Sequence, residues 1–195
     1  MLALTTKTTV LLLIGLAIAA GAVIFWYTRT YHFREIERGK LYRDGLRNST
    51  EFANACRMGH IRSIISLVSD EEYSSARFAT AIDSARARGI QTLRVAIPLG
   101  GWPTTEDIYQ FLALATNPAN QPAIAHCREG VRRTGMLVSA YRITVMGMTK
   151  DQAKAAIETF GHSRRSIGDI ERFIDLYDPA TRSVTYPTTM PKGDE

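Results

Sequence analysis

One stretch of the sequence limits the possible fold of this chain more than any other: AIAHCREGVRRTGMLVSAYR, from Ala123 to Arg142. It begins with an apolar run that predicts a buried strand ending at Cys127, continues through a loop that contains Gly130, and starts a helix near Arg133. Such loops lie at the carboxyl edge of the parallel sheet in α/β folds, where they bind anions. The stretch therefore predicts an α/β domain with an anion site at this loop.

The rest of the chain alternates between strand and helix patterns, which favours a single domain for a chain of 195 residues. Short apolar runs predict strands at 40–46, 61–68, 91–99 and 122–127. Helical spacing and capping residues predict helices at 70–89, 104–116, 133–147, 149–161 and 166–178. We therefore expect a central, mainly parallel sheet of about four to five strands, flanked by helices.

An uncharged apolar run, VLLLIGLAIAAGAVIFWY, precedes this domain at residues 10–27. At about 1.5 Å per residue, a helix of this length nearly spans a hydrocarbon core of about 30 Å. Its aromatic end suits the membrane interface. Residues 1–28 are therefore predicted to form a membrane anchor, and a cleaved signal peptide is the alternative because AGA could be a cleavage site. We interpret residues 29–40 as a linker and expect residues 181–195 to be disordered.

The distribution of positive charge predicts the side of the membrane. Only Lys7 and the amino terminus precede the apolar run, whereas five basic residues follow it closely, namely Arg29, Arg34, Arg38, Lys40 and Arg43. Because positive charge is retained on the cytoplasmic side, we expect the folded domain in the cytoplasm. A signal peptide would instead place it in the periplasm or outside the cell.

Composition limits the other functions open to the chain. The net charge of +5 at pH 7 favours anionic partners but is too small to indicate nucleic acid. The two cysteines, Cys56 and Cys127, do not suggest a disulfide framework, and Cys56 is interpreted as a small buried residue. His32, His60 and His162 lack metal-ligand spacing, so we expect neither a metal nor another cofactor.

The residue types in the loop suit the binding and transfer of a phosphoryl group. Backbone N–H groups from residue 128 to residue 133 can surround a tetrahedral oxyanion. The positive end of the following helix favours a thiolate nucleophile at Cys127. The planar fork of Arg133 can hold two equatorial phosphoryl oxygens, and the hydroxyl of Thr134 can donate a hydrogen bond to the thiolate.

These residues carry a resemblance to a known family. HCREGVRRTG resembles the His-Cys-(five residues)-Arg-Thr/Ser-Gly signature of the cysteine-based protein phosphatases, and HCREG is similar to the dual-specificity branch. GKLYRDGLRN, IRSIISLVSDEE and IPLGGWPTTEDIYQFL resemble the first strand, second strand and acid-loop region of compact bacterial and fungal members. The resemblance covers about residues 33–178 and implies a phosphatase domain at 41–180.

The resemblance also implies a role for each loop residue. Cys127 would be the nucleophile, Arg133 the phosphate-binding arginine, and Thr134 the hydroxyl that assists hydrolysis of a cysteinyl-phosphate. His126 would orient the loop through its ring nitrogens. The remaining residues of the loop would surround the phosphate, and these are Arg128, Glu129, Gly130, Val131 and Arg132. Within this loop we interpret Glu129 as structural, because a carboxylate that faced the phosphate would repel it.

The general acid is less clear from the sequence. The family places an aspartate on the loop after the third strand, where it protonates the leaving oxygen. Here that loop reads PLGGWPTTED, and only Glu106 and Asp107 carry carboxylates. Asp107 could equally close a capping box with Thr104 at the start of the next helix. If neither carboxylate serves, good leaving groups would be favoured. We expect Trp102 to lie over the mouth of the site.

Other functions stay open at this level. CREGVR also resembles the six-residue loop of rhodanese-like sulfurtransferases, which Arg132 rather than Arg133 would close. A membrane-tethered, non-catalytic phosphate-binding module is a third reading. For a phosphatase, the substrates are expected to be phosphotyrosine, phosphoserine and phosphothreonine proteins. Phosphoinositides or inositol polyphosphates are the alternative, because Arg128 and Arg132 add positive charge beside the loop.

Overall fold

A five-stranded sheet forms the centre of the domain in the computed structural model, which describes residues 6–161 and 164–193. Its strands are β1 (Arg34–Glu37), β2 (Leu41–Gly45), β3 (Ser63–Ser66), β4 (Gln91–Arg94) and β5 (Ala123–Cys127). The strand order is β1-β2-β5-β3-β4, with β1 antiparallel to β2 and the other four strands parallel. The predicted mainly parallel sheet is therefore confirmed, with β5 at its centre.

Helices pack on this sheet in two groups. The first group comprises α2 (Ser49–Met58), α3 (Asp70–Ser74) and α4 (Ala76–Arg86). The second comprises α5 (Thr105–Thr116), α6 (Arg132–Thr144), α7 (Lys150–Ala155) and α8 (Arg164–Leu176). All five residues of β5 are buried beneath these helices, which explains why its sequence is continuously apolar up to His126.

The amino-terminal helix α1 (Thr6–Thr28) extends away from the domain. Its segment from Thr8 to Thr28 is long and apolar enough to cross a membrane, with a mean hydropathy of 2.5 and no part of it buried in the protein. Its carboxyl-terminal end contacts α2, where Asn54 Nδ2 donates to the carbonyl oxygens of Trp26 (2.8 Å) and of Arg29 just after the helix (3.0 Å). Residues 1–5 of the predicted anchor lie outside the described residues.

The segment predicted to be a linker differs from that expectation. Residues 34–37 form the edge strand β1, because Arg34 and Glu35 pair with β2 and Ile36 is buried in the core. The helix predicted at 70–89 is two helices, since Ser75 between them has extended backbone (ψ 149°). The α2 helix was not predicted from the sequence. His162 lies outside the described residues.

The carboxyl-terminal segment is also more ordered than the sequence suggests. After α8, β6 (Tyr177–Asp178) and β7 (Ser183–Val184) form a two-stranded antiparallel sheet. Residues 186–193 then run along the loop before α5, where the Tyr186 hydroxyl donates to the Pro103 carbonyl (2.7 Å) and Trp102 Nε1 donates to the Pro191 carbonyl (2.9 Å). The expected disorder is thus corrected for residues 181–193, because aromatic packing and backbone bonds hold them to the domain. Residues 194–195 lie outside the description.

Candidate active site

The loop that follows β5 lies where the sequence predicts it. Cys127 is the last residue of β5, and α6 begins at Arg132, one residue earlier than expected. Cys127 pairs in register with Gly45 at the end of β2, so that the carboxyl ends of the parallel strands meet beside the cysteine. Its side chain is buried, with 1% of the residue exposed. The loop therefore occupies the ligand-binding edge of the sheet.

Backbone N–H groups of the loop are open to an anion. The N–H of Gly130 donates to Cys127 Sγ at 3.1 Å, which stabilises negative charge on sulfur. The N–H groups of Arg128, Glu129, Val131 and Arg132 donate to no acceptor within residues 6–161 and 164–193. No side chain caps the start of α6 either. Donors left open at a loop and helix start are suited to a tetrahedral oxyanion.

The loop is fixed against β2 by close backbone contacts. Gly130 has φ +70°, and a Cβ there would lie 2.3 Å from the carbonyl oxygen of Asp44, so only glycine fits. The buried Arg43 donates from Nη2 to the Gly130 carbonyl at 2.5 Å and pairs through Nη1 with Glu158. These contacts set the direction in which the loop presents its N–H groups.

A half-buried carboxylate, that of Glu72, fixes the position of Arg133. Its Nη1 and Nη2 donate to the two carboxylate oxygens of Glu72 at 2.6 and 3.0 Å, and Nη1 also approaches the Ile97 carbonyl at 3.2 Å. Burial would raise the pKa of Glu72, but the bonds and charge of Arg133 outweigh it, so the pKa is lowered. Glu72 therefore holds the guanidinium as a charged, oriented group. The sequence reveals Glu72 only as part of the capping box that Ser69 begins.

His126 orients the loop through one ring nitrogen rather than two. Its Nδ1 lies 3.2 Å from the Cys127 carbonyl oxygen, which can only accept, so Nδ1 carries the proton. Nε2 is buried without a partner among the described residues. Burial between Phe52 and Phe78 lowers the pKa of His126 to about 4, so that the imidazole is neutral at physiological pH.

Glu129 has the structural position that the sequence suggests. Its Oε2 accepts a hydrogen bond from the Tyr31 hydroxyl (2.8 Å), and its carbonyl oxygen accepts one from His32 Nδ1 (2.7 Å). The backbone N–H of His32 donates in turn to Asp44 Oδ1 at 2.9 Å. Tyr31 and His32 therefore tie the segment after α1 to the loop that follows β5, a contact that the sequence did not reveal.

Three predicted site residues have environments that differ from expectation. Thr134 Oγ1 is buried and has no hydrogen-bond partner in the described part of the chain, so the bond to the sulfur is not formed. Arg132 is directed away from the loop to Asp169 (2.6 Å) and to the Gly101 carbonyl (2.7 Å). Arg128 is exposed, and its Nε lies 3.5 Å from Glu129 Oε1. Of the two extra arginines, only Arg128 adds accessible charge beside the loop.

The structure places Asp107 in the capping arrangement. Asp107 Oδ2 accepts from the N–H of Thr104 (2.8 Å) and from its hydroxyl (2.7 Å), while the N–H of Asp107 donates back to that hydroxyl. Glu106 is exposed. Trp102 packs against Arg132, whose guanidinium lies 4.8 Å from the ring centre, and against Tyr186. One carboxylate oxygen of Asp107, Oδ2, is thus engaged in the helix cap.

Comparisons with known proteins agree with this geometry. A family model described as "PTP-NADK: DSP-PTPase phosphatase fused to NAD+ Kinase" matches residues 45–174. A comparison with curated proteins gave no match. The core catalytic domain of the PP-IP phosphatase SIW14 from S. cerevisiae, in complex with citrate, matches with a TM-score of 0.63 at 22% identity, over 77% of this chain and 87% of that chain.

A second solved structure has a similar fold. P. aeruginosa TpbA in complex with pTyr matches with a TM-score of 0.61 at 18% identity, over 78% of this chain and 88% of that chain. At these identities the likeness to the solved structures establishes the fold of the domain alone.

Proposed function

Because the chain belongs to the cysteine-based phosphatases of the dual-specificity-like branch, we propose that it hydrolyses phosphate monoesters through a cysteinyl-phosphate intermediate. The observation that carries this proposal is the position of Cys127. Its sulfur accepts the Gly130 N–H in a loop whose other N–H groups are open, and the helix that follows this loop carries Arg133, whose guanidinium is held by Glu72. A thiolate there would face the phosphorus of a bound phosphoryl group.

The first step forms the phosphoenzyme. The Cys127 thiolate attacks phosphorus, an S–P bond forms, the ester P–O bond breaks, and the leaving oxygen takes the bonding electron pair. Loop N–H groups and Arg133 stabilise the charge on the three equatorial oxygens. Glu72 holds Arg133 in place for this contact, since the carboxylate already fixes the plane of its guanidinium.

The second step releases phosphate. A water oxygen attacks phosphorus, the S–P bond breaks, and the electron pair returns to Cys127 as a thiolate, while both protons of the water leave with the product as dihydrogen phosphate. The hydroxyl of Thr134 is buried and has no competing partner among the described residues, so it is available to donate to the departing sulfur. The neutral His126 is a positioning residue in this scheme, because its proton is already donated to the Cys127 carbonyl.

We propose protein phosphotyrosine as the first substrate class, ahead of phosphoserine and phosphothreonine. Asp107 Oδ2 is engaged in the helix cap and Glu106 is exposed, so we infer that the described loop before α5 supplies no dedicated acid to the leaving oxygen. A phenolate leaves without a proton far more readily than an alkoxide, because the pKa of a phenol is about 10. Substrates with aryl leaving groups are therefore favoured.

A second substrate class, phosphoinositides or inositol polyphosphates, has support from one cavity. A cavity of about 430 Å³ beside the loop is lined by Glu71, Glu72, Ser75, Arg77, Phe78 and Arg128. Arg77 and Arg128 could hold further phosphates of a multiply phosphorylated ring. The structural neighbour SIW14 is described as a PP-IP phosphatase, which is in line with this alternative.

A panel assay tests the proposal and ranks the substrates. We expect the full chain in detergent to release inorganic phosphate from an aryl phosphate and from phosphotyrosine peptides faster than from phosphoserine peptides or phosphoinositides. Cys127→Ser should abolish release while the melting temperature stays unchanged. Faster release from a phosphoinositide would favour the second class, and release by Cys127→Ser would contradict the mechanism.

Substitution of Arg133 and of Arg132 distinguishes a phosphatase from a sulfurtransferase, because a different arginine would close the loop in each. Arg133→Lys should nearly abolish phosphate release, because an ammonium group cannot reproduce the two-point contact. Arg132→Lys should instead lower thermal stability by breaking the bond to Asp169, with a much smaller effect on rate. Equal loss of rate in both variants, or turnover of thiosulfate, would support the shorter loop closed by Arg132.

We further propose that α1 anchors the enzyme to a membrane with the domain in the cytoplasm. The length and hydropathy of α1 permit a span, and the basic residues that follow it support this orientation. A reducing compartment would also keep Cys127 in the reduced state that the catalytic step requires.

A further inference from the structure

A cavity lies where the carboxyl-terminal end of α1 meets the domain. Its volume is about 570 Å³, and it is formed between α1, α2 and α4. The residues that line it on α1 and α2 are Trp26, Tyr27, Ser49, Thr50, Ala53, Asn54 and Arg57, and those on α4 and just after it are Thr80, Ser84 and Arg88. Hydroxyls, aromatic rings and two arginines thus face one space that the proposed reaction does not use.

The two arginines give this cavity an uncompensated positive charge. Arg57 donates from Nη2 to the Tyr27 carbonyl and to Asn54 Oδ1 (3.2 Å), and its guanidinium lies 5.1 Å from the centre of the Tyr27 ring. Arg88 donates from Nη2 to Ser84 Oγ at 2.8 Å. Within the part of the chain that the structure describes, neither arginine pairs with a carboxylate. Such a pair of guanidinium groups can bind a phosphate.

The position of the cavity along α1 indicates where that phosphate would come from. Trp26 and Tyr27 end the apolar part of α1, and aromatic side chains at such ends lie at the level of the lipid headgroups. The bonds from Asn54 to the carbonyls of Trp26 and Arg29 fix α2 to this end of the helix. When α1 spans a membrane, the cavity and its two arginines are therefore held at headgroup depth.

We propose that this cavity binds the headgroup of an anionic phospholipid, with its phosphate between Arg57 and Arg88. The hydroxyls of Ser49, Thr50 and Thr80 line the same space and can bond polar headgroup atoms, while Trp26 contacts the glycerol region and the start of the acyl chains. The lipid would fix the orientation of the domain on the membrane surface. The proposal rests on α1 entering the membrane and not on the phosphatase activity.

Native mass spectrometry of the full chain released from detergent micelles tests this directly. With phosphatidylglycerol and phosphatidylcholine in equal amounts, we expect one phosphatidylglycerol to be retained in preference. The variant Arg57→Gln/Arg88→Gln should bind it at least tenfold more weakly, because both guanidinium groups are lost. Arg38→Gln/Arg62→Gln is the matched control, since it removes the same charge from two exposed arginines outside the cavity, and it should bind as the wild type does.

Inorganic phosphate distinguishes a lipid site from a site for a soluble anion. Added phosphate should displace phosphatidylglycerol only at concentrations far above that of the lipid, because it lacks the contacts with Trp26 and Tyr27. The proposal is overturned if phosphate competes equally, if phosphatidylcholine is retained as well, or if the control variant loses the lipid to the same extent.

The single variant Arg88→Gln tests the proposal even if the double variant does not fold. Arg88 is exposed and bonds only to Ser84 among the described side chains, so Arg88→Gln should melt at the wild-type temperature and still weaken lipid retention several-fold. Unchanged retention in this variant would also overturn the proposal. Because the assay measures no phosphate release, its failure is separate from any failure of the proposed phosphatase function.

Discussion

Asp44 illustrates how one side chain supports the catalytic loop from behind. Its Oδ1 accepts the N–H groups of His32 (2.9 Å) and Gly45 (2.8 Å), whereas Oδ2 has no partner among the described residues. Burial raises the pKa of Asp44 to about 7, despite the hydrogen bonds that lower it. At acidic pH the carboxyl group of Asp44 is protonated and no charge is buried, whereas ionisation above neutral pH leaves a buried negative charge beside the N–H groups of His32 and Gly45.

The raised pKa predicts a pH-dependent stability difference between the wild type and Asp44→Asn. In the wild type, the folded state holds its proton more tightly than the unfolded state, so the contribution of Asp44 is complete below about pH 4 and is lost as pH rises to about 7. The free energy of unfolding of Asp44→Asn, relative to wild type, should therefore rise by on the order of 3 kcal/mol across this range.

Urea unfolding at a series of pH values measures this difference. His126 also makes stability depend on pH, in the opposite direction: its pKa is lowered to about 4, so its contribution to the free energy of unfolding is lost as pH falls. Because both proteins contain His126, this contribution cancels in the difference between them. A difference that stays constant from pH 4 to 8 would show that Asp44 is ionised throughout.

Asp107 can be tested as a helix cap and as a general acid in the same experiment. Asp107→Ala removes both bonds to Thr104 and should lower the free energy of unfolding by about 1 kcal/mol. Asp107→Asn keeps an acceptor for the Thr104 N–H but cannot donate a proton to a leaving oxygen. It should leave the ratio of rates for alkyl and aryl phosphates unchanged, whereas a selective tenfold loss for alkyl phosphates would identify Asp107 as the acid.

Among the elements, the segment between α1 and β1 contributes most to the site beyond the loop itself. His32 stacks between Tyr31 (3.7 Å between ring centres) and Phe160 (4.3 Å) while it donates to the Glu129 carbonyl. Glu129 lies two residues after Cys127, so its orientation helps to set the neighbouring N–H groups. The segment that follows α1 therefore supports the loop after β5.

Removal of one hydroxyl tests this contribution. Tyr31→Phe eliminates the bond to Glu129 Oε2 and should lower kcat for phosphate release several-fold with little change in melting temperature, because the ring packing remains. Tyr42→Phe is the control: it removes a hydroxyl that bonds Glu35 at 2.8 Å on the exposed side of β2. Similar rates in the two variants would show that the Tyr31 bond does not position the loop.

For the whole molecule, the main prediction concerns the side of the membrane. The basic residues after α1 predict a cytoplasmic carboxyl terminus, so a fluorescent protein fused there that matures only in the cytoplasm should fluoresce. Alkaline phosphatase at the same position should be inactive. An active alkaline phosphatase with no fluorescence would place the domain outside and would favour the signal-peptide reading.

The sequence alone determined the features that depend on neighbours along the chain. The apolar run before Cys127, the glycine loop and the helix start predicted an α/β domain with an anion site at the end of β5, and α1 was evident from its uncharged length. The capping box from Thr149 to Gln152 was also predictable. Helix caps and strand periodicity depend on residues a few positions apart, so they can be recognised in the sequence without knowledge of the tertiary structure.

Only the tertiary structure decided which groups hold the site in place. Glu72 is 61 residues from Arg133, Asp169 is 37 residues from Arg132, and Tyr31 is 98 residues from Glu129. Local patterns carry no signal for such pairs, because strand order and helix packing bring them together. For the same reason the sequence assigned Arg132 to the phosphate: the start of α6 allows its side chain either direction, and the contacts with Gly101, Trp102 and Asp169 select one.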